Sequence, residues 1–244
     1  MPMSSNCIIH FTQTKESLLG ILSENFKLHY CTETFALKEH EVEAKVPMVS
    51  FCDIPLSQVK DHIGKYGHYG IGLTKEWAVA SGLNPVLYIE EKSHVSESLG
   101  IAFDKFIASS KRYRKTDPHK ALEDIIRYVK NYQGNLRRKG VDLGTYRFSD
   151  EREWRYVPHF SENCEMICGI EAYETRKAEI EAGIDDLRLT FEPNDIKYVI
   201  IRDDSEITEF VDHLRRAKGK KYTYQDVERL TTRLLTSDQI LGDI

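Results

Sequence analysis

The chain reads as an α+β protein: a single mixed, mainly antiparallel sheet core with flanking helices and a helical insertion. Three observations carry this expectation. Short apolar runs of strand length stand far apart, CIIHFT at 7–12, VPMVSFC at 46–52 and IKYVII at 196–201. Helical stripes recur elsewhere, as at Leu18, Leu19 and Leu22 and at Ile207, Phe210, Val211 and Leu214. Between residues 93 and 139 the strand signal gives way to charged sequence with a helical period.

Taken in order, Cys7–Thr12 is expected as the first strand. Thr14 is then a candidate N-cap for a helix carrying Leu18, Leu19, Leu22 and Phe26. The polar, acidic stretch Thr32–Lys45 reads as a loop or irregular crossing. Val46–Cys52 is a near-continuous apolar run, as in a strand covered on both faces. Asp53-Ile54-Pro55 stops it, because Pro55 has no amide hydrogen and biases Ile54 toward extended geometry. Ser57 is the expected N-cap of a short helix bearing Val59 and Ile63. In the following strand, Tyr69, Ile71 and Leu73 alternate with Gly70 and Gly72. One face of that strand is therefore bare, open to another backbone, an aromatic ring or a ligand.

Trp77 is expected on a short helix, and Asn84-Pro85 leads into a strand over Val86–Ile89. Asp117-Pro118 starts a helix with a stripe at Leu122, Ile125, Ile126 and Val129. After Gly140, strands are expected at Thr145–Phe148, Trp154–Phe160, Glu165–Tyr173 and Ile196–Arg202. Thr223 and Asp226 form a capping-box pattern for a last helix with Val227, Leu230 and Leu234. The expected organisation is one domain over 1–244, with 93–139 inserted and 204–244 forming C-terminal helices.

Composition excludes several classes. No run approaches the roughly 18 apolar residues of a membrane span, and the first residues lack a secretory signal pattern. The five cysteines are odd in number and mostly in apolar surroundings, which points to reduced thiols and a cytoplasmic protein. A net charge of −5 disfavours nucleic-acid binding over the whole surface. Local binding remains possible at the basic clusters Lys111–Lys115, Arg137-Arg138-Lys139 and Arg215–Lys221, where Tyr113 and Tyr222 interleave aromatic rings with charge.

Candidate chemistry gathers at two places. His10 and Thr12 share a face of the first strand and could hydrogen-bond a polyol such as ribose. In Glu151-Arg152-Glu153-Trp154-Arg155-Tyr156, alternation sends Glu151, Glu153 and Arg155 to one face. Such a row could orient a substrate or stabilise a developing cation, or be an ion-pair row over a buried Trp154. His159, Cys164 and Cys168 are too far apart along a strand to share an ion, so no metal is expected. No Walker loop, dinucleotide fingerprint, zinc-protease helix or serine elbow is present.

Several segments together resemble the AbiGi family of bacterial abortive-infection proteins. They are IIHFT, LLGIL, VPMVSFCDIPLSQVKDHIGKYGHYGIGLTKEWA, LNPVLYI, EREWRYVP, FEPNDIKYVII and LLTSDQILGDI, in order along nearly the whole chain. The resemblance implies a part in phage defence as an antitoxin-type component, with a toxin as protein partner. It supplies no catalytic residues and no firm cofactor. A looser likeness, in the order of elements, is to toxin-type ADP-ribosyltransferases. On that reading His10 would contact the ribose of NAD, Tyr66 or Tyr69 would stack on nicotinamide, and Glu153 would stabilise an oxocarbenium-like transition state. Thr12, Gly70, Gly72 and Arg155 would complete the ligand site.

Overall fold

The computed structural model describes residues 5–37, 40–113, 117–138, 141–159 and 164–243. The fold is α+β, with helices around mixed, mostly antiparallel strand pairing. The chain forms two compact units, one from residues 1–27, 50–83 and 188–244, the other from 28–49 and 84–187.

In the first unit, Cys7–Thr12 pairs antiparallel with Tyr69–Thr74, from Cys7 opposite Thr74 to Thr12 opposite Tyr69. Ile196–Ile201 joins the other edge of Tyr69–Thr74 antiparallel, and Leu234–Thr236 adds to it in parallel. One face of this sheet carries Cys7, Ile9, Tyr198 and Ile200, packed with Val59, which precedes the helix Lys60–Tyr66, with Ile63 of that helix and with Ile240 of the helix Ser237–Asp243. The helices Lys15–Glu24 and Lys75–Ala80 also pack on the sheet. Both open as a hydroxyl-capped helix should: Thr14 accepts from the Ser17 amide and Thr74 from the Trp77 amide.

The glycine-lined face is filled from within the unit. A Cβ on Gly72 would overlap the ring of Tyr198, and one on Gly70 would crowd Phe11 Cδ1 at 3.2 Å. Among the alternatives that the sequence left open, an aromatic ring covers Gly72, while a Cβ on Gly70 would meet both backbone, the His10 carbonyl oxygen at 3.1 Å, and the Phe11 ring. Gly67 is constrained more severely. Its φ is +115°, and a Cβ there would lie 2.5 Å from the Thr12 carbonyl oxygen.

The second unit is built on a hairpin. His29–Leu37 pairs with His40–Cys52 over the register His29 opposite Met48 to Leu37 opposite His40. The described residues of the stretch expected as an irregular crossing, 32–37 and 40–45, are therefore strand. Its charges misled because they alternate: Val42, Ala44, Val46 and Met48 are buried, while Glu41 and Glu43 are exposed. Phe35, Leu37 and Val42 meet Ile89, Ile126 and Val129 in a core that also takes Leu99, Phe103 and Leu122 from the helices His94–Tyr113 and Asp117–Ile126. Asn131 extends the hairpin by side chain, its Oδ1 accepting from the Ala36 amide at 2.7 Å and its Nδ2 donating to the Ala36 carbonyl at 2.9 Å.

Other expectations shift locally. Ser57 lies inside a 3-10 turn, and the helix starts at Lys60 without a side-chain cap. Phe26 belongs to a two-residue strand, and Val129 to a strand that pairs in parallel with Leu87–Ile89. Thr145 and Tyr146 end a strand over Val141–Tyr146, and Phe148 begins a 3-10 turn. Glu165–Tyr173 is strand only at Cys168–Gly169 and turns helical from Ile170: Ile170–Ala182 is a helix rich in Glu and Ala, good helix formers that outweigh the apolar start. Leu234 leaves the helix for a strand, and the helix Ser237–Asp243 follows. Arg114, Lys115, Lys139, Gly140 and Phe160 lie outside the described residues. Among the described residues, no helix is long and apolar enough to cross a membrane.

Candidate functional site

A connected network of five charged side chains lies in the second unit, around Glu153 and Arg155. The chain leaves the 3-10 turn Phe148–Glu151 through Arg152, whose φ of 45° and ψ of 52° are left-handed, and enters the strand Glu153–Tyr156. That bend lets Glu151, still in the turn, meet the same lysine as Glu153. Within the strand, Glu153 and Arg155 share a face because side chains alternate. This charged face is the buried one, at 6% and 0% exposure, whereas Trp154 is only half-buried. The ion-pair row, one of the two readings the sequence left open, is present, but the charged row rather than Trp154 is the buried side.

Every guanidinium nitrogen of Arg155 has a partner. Nε donates to Glu153 Oε1 at 2.6 Å, Nη2 to Glu33 Oε2 at 2.6 Å and Nη1 to the Arg127 carbonyl at 2.9 Å. Lys130 Nζ lies 2.7 Å from Glu153 Oε2 and 3.0 Å from Glu151 Oε2. The Glu153 amide donates to Tyr88 Oη at 2.8 Å. Glu33, Glu151 and Glu153 thus surround Lys130 and Arg155, with one negative charge in excess. Burial by itself would raise the Glu153 pKa, but Arg155 and Lys130 hold its carboxyl far below the ordinary carboxylate range. Burial likewise opposes the charge on Lys130 and Arg155, and the carboxylates override it, raising both.

Such a network keeps Glu153 ionised with both carboxylate oxygens already accepting from cations. Its chemical suitability is for holding the hairpin, the strand Val129–Asn131 and the strand Glu153–Tyr156 in one arrangement. A carboxylate that stabilises a sugar cation must instead present an oxygen to the ligand.

The remaining candidates lie in the first unit. The strand register sets Thr12 opposite Tyr69 and His10 opposite Ile71, so His10, Thr12 and Tyr69 project from one face of the sheet. His10 Nδ1 donates to the Ser50 carbonyl at 2.8 Å, and its ring meets Phe26 and Phe51 edge-on. Tyr69 is buried and donates its hydroxyl to Glu206 Oε1 at 2.9 Å, with Arg202 5.3 Å from its ring centroid. Burial first, then the Glu206 hydrogen bond, pushes the Tyr69 pKa up to about 12. Tyr66 stacks on His62 with ring centroids 5.5 Å apart. Gly70 and Gly72 face Phe11 and Tyr198 as described.

Glu33 and Lys130 were not singled out by the sequence. The signal for Glu33 was the alternation of Glu33, Phe35 and Leu37 with Thr32 and Thr34, obscured by the polar composition. Among the described residues, no three His, Cys, Asp or Glu side chains converge as metal ligands. Cys164 instead lies 3.6 Å from the hydroxyl of Tyr30, which donates to the Glu165 carbonyl at 2.6 Å.

Comparison with known proteins agrees with the resemblance seen in the sequence. The family described as "Putative abortive phage resistance protein AbiGi, antitoxin" matches residues 24–202. A protein of Lactococcus lactis subsp. cremoris named "Abortive phage resistance protein AbiGi" is 25% identical over 224 residues, covering 81% of this chain and 88% of that protein. No solved structure matches the chain. The family match spans the hairpin, the ionic cluster around Glu153 and the strand Ile196–Ile201. The chain belongs to the AbiGi family of abortive phage resistance proteins.

Proposed function

We propose that this protein is the antitoxin-type component of an abortive-infection system, acting in the cytoplasm by binding and restraining a toxic protein partner. The observation that carries this reading is the family match over residues 24–202, under a description that includes the word antitoxin. The local geometry is in keeping with a binding role. His10, Tyr69 and Glu153 are each engaged by neighbouring groups of their own unit. In Glu153 both oxygens already accept from cations, so no observation favours the NAD-consuming reading built on these residues.

The test is a growth assay with the protein encoded beside this chain, each under separate control, followed by phage challenge. The expected result is growth arrest by the neighbour alone, relief when this chain is co-expressed, and a complex of the two in purified form. Arrest by this chain alone would overturn the proposal. So would release of nicotinamide from NAD by the purified chain, if Glu153→Gln abolished it with the fold intact.

A further inference from the structure

The end of the helix Ile207–Lys218 and the start of the helix Tyr224–Thr231 enclose a short basic turn. Arg216, Lys220 and Lys221 are exposed there, and among the described residues none of them has a carboxylate within ion-pair distance. The turn is built rather than loose. The amides of Lys221 and Tyr222 both donate to the Lys218 carbonyl, at 3.1 and 3.0 Å. Arg215 clamps the two helices through Glu228, at 2.8 and 3.0 Å. Thr223 caps the second helix by accepting from the Asp226 amide.

Basic residues in the last turn of a helix complement its dipole, which accounts for the exposed Arg215 and Arg216. It does not account for Lys220 and Lys221, which lie beyond the helix end. Nor does it account for Tyr224, the most exposed large hydrophobic side chain among the described residues at 77%. Tyr222, two residues earlier in the chain, is partly exposed, and Lys221 Nζ lies 5.2 Å from the centre of the Tyr222 ring. Cations without carboxylate partners next to an open aromatic ring are the two requirements of a single-strand platform. The cations follow the phosphates and the ring receives an unstacked base. A protein interface would also take an exposed tyrosine, but such interfaces are depleted in lysine, whereas phosphates are met by lysines such as Lys220 and Lys221; a duplex keeps its bases stacked within.

We infer that the turn Gly219–Thr223, with Arg216 and Tyr224, is a binding surface for single-stranded nucleic acid. The chain's net charge of −5 makes the attraction local to this patch.

The experiment is fluorescence anisotropy of the full chain with labelled oligo(dT) and oligo(U) of about 15 nucleotides, longer than a patch that meets three phosphates. A duplex of equal length and poly-glutamate are the controls. Single strands are expected to bind with a log–log salt slope of about −2, roughly a 20-fold loss between about 50 and 200 mM salt, for three neutralised phosphates. Lys220→Ala with Lys221→Ala should lower the slope to about −0.7, and Tyr224→Ala should weaken binding roughly tenfold at unchanged slope. All three side chains are exposed, so the thermal transition should not move. No single-strand binding at the lower salt, binding indifferent to these substitutions, or equal binding of poly-glutamate or duplex would each overturn the inference.

Discussion

Arg155, fully buried, donates through Nε to the carboxylate of Glu153 two residues earlier on the same strand, at 2.6 Å. The pair is closed off by Glu33 on the arginine side and Lys130 on the glutamate side. Both partners are out of water, so the loss of either strands a charge. Arg155→Ala should lower stability by about 3–5 kcal/mol, read as a fall in the denaturation midpoint. Joint replacement, Glu153→Leu with Arg155→Met, should cost clearly less than the sum of the single changes. Strict additivity would show that the two side chains do not act as a unit.

The same pair sets a pH dependence. Glu153 has a folded-state pKa below its unfolded value, the cause being Arg155 and Lys130 prevailing over burial. Its contribution is therefore fully present above the ordinary carboxylate pKa of about 4.3 and is lost as pH falls from there toward the folded value. Thermal transitions of the native chain and Glu153→Gln should differ most at neutral pH and converge as the solution is acidified below about pH 4. A gap that held constant down through that range would contradict this assignment.

Gly72 and Gly67 should respond differently to alanine. At Gly72 the obstacle is the Tyr198 ring, whose hydroxyl is 2.9 Å from Cys7 Sγ. Gly72→Ala should cost about 1–3 kcal/mol, and much of it should return when Tyr198→Leu is added. At Gly67 the obstacle is backbone, the Thr12 carbonyl, and φ is positive as well. Gly67→Ala should be the more damaging, with no side-chain replacement that rescues it. Circular-dichroism melts of the three variants decide this.

Lys218 is 4% exposed, and its ammonium sits 4.8 Å from the Phe191 ring centre. Burial, then the charge of Lys221, lowers its pKa. A lysine depressed in the folded state penalises folding at neutral pH, and the penalty fades as pH rises from the folded pKa to the unfolded one. Lys218→Met keeps the stem and removes the charge, so it should leave stability unchanged or raise it by about 1 kcal/mol at neutral pH. A large loss would mean that the cation–π contact outweighs the desolvation.

The sequence read by itself established the strands Cys7–Thr12, Tyr69–Thr74 and Ile196–Ile201, the hydroxyl caps Thr14 and Thr223, and the helix over Ile207–Lys218. It also carried the family, through motifs spread along nearly the whole chain. These are local properties: side-chain period, capping chemistry and residue order need no distant partner to be legible. Tertiary structure decided the rest. The hairpin His29–Leu37 with His40–Cys52 was hidden because its polar residues occupy an outer face that exists only once the strands pair. The row Glu151, Glu153 and Arg155 was visible, but not its burial, since that depends on Glu33 and Lys130 arriving from segments 120 and 23 residues away from Glu153. Likewise, the bare face of Gly70 and Gly72 was plain in the alternation, while Tyr198, which covers Gly72, comes from more than a hundred residues further on. A period along one segment shows which side chains face together; what they face is set by contacts between distant segments.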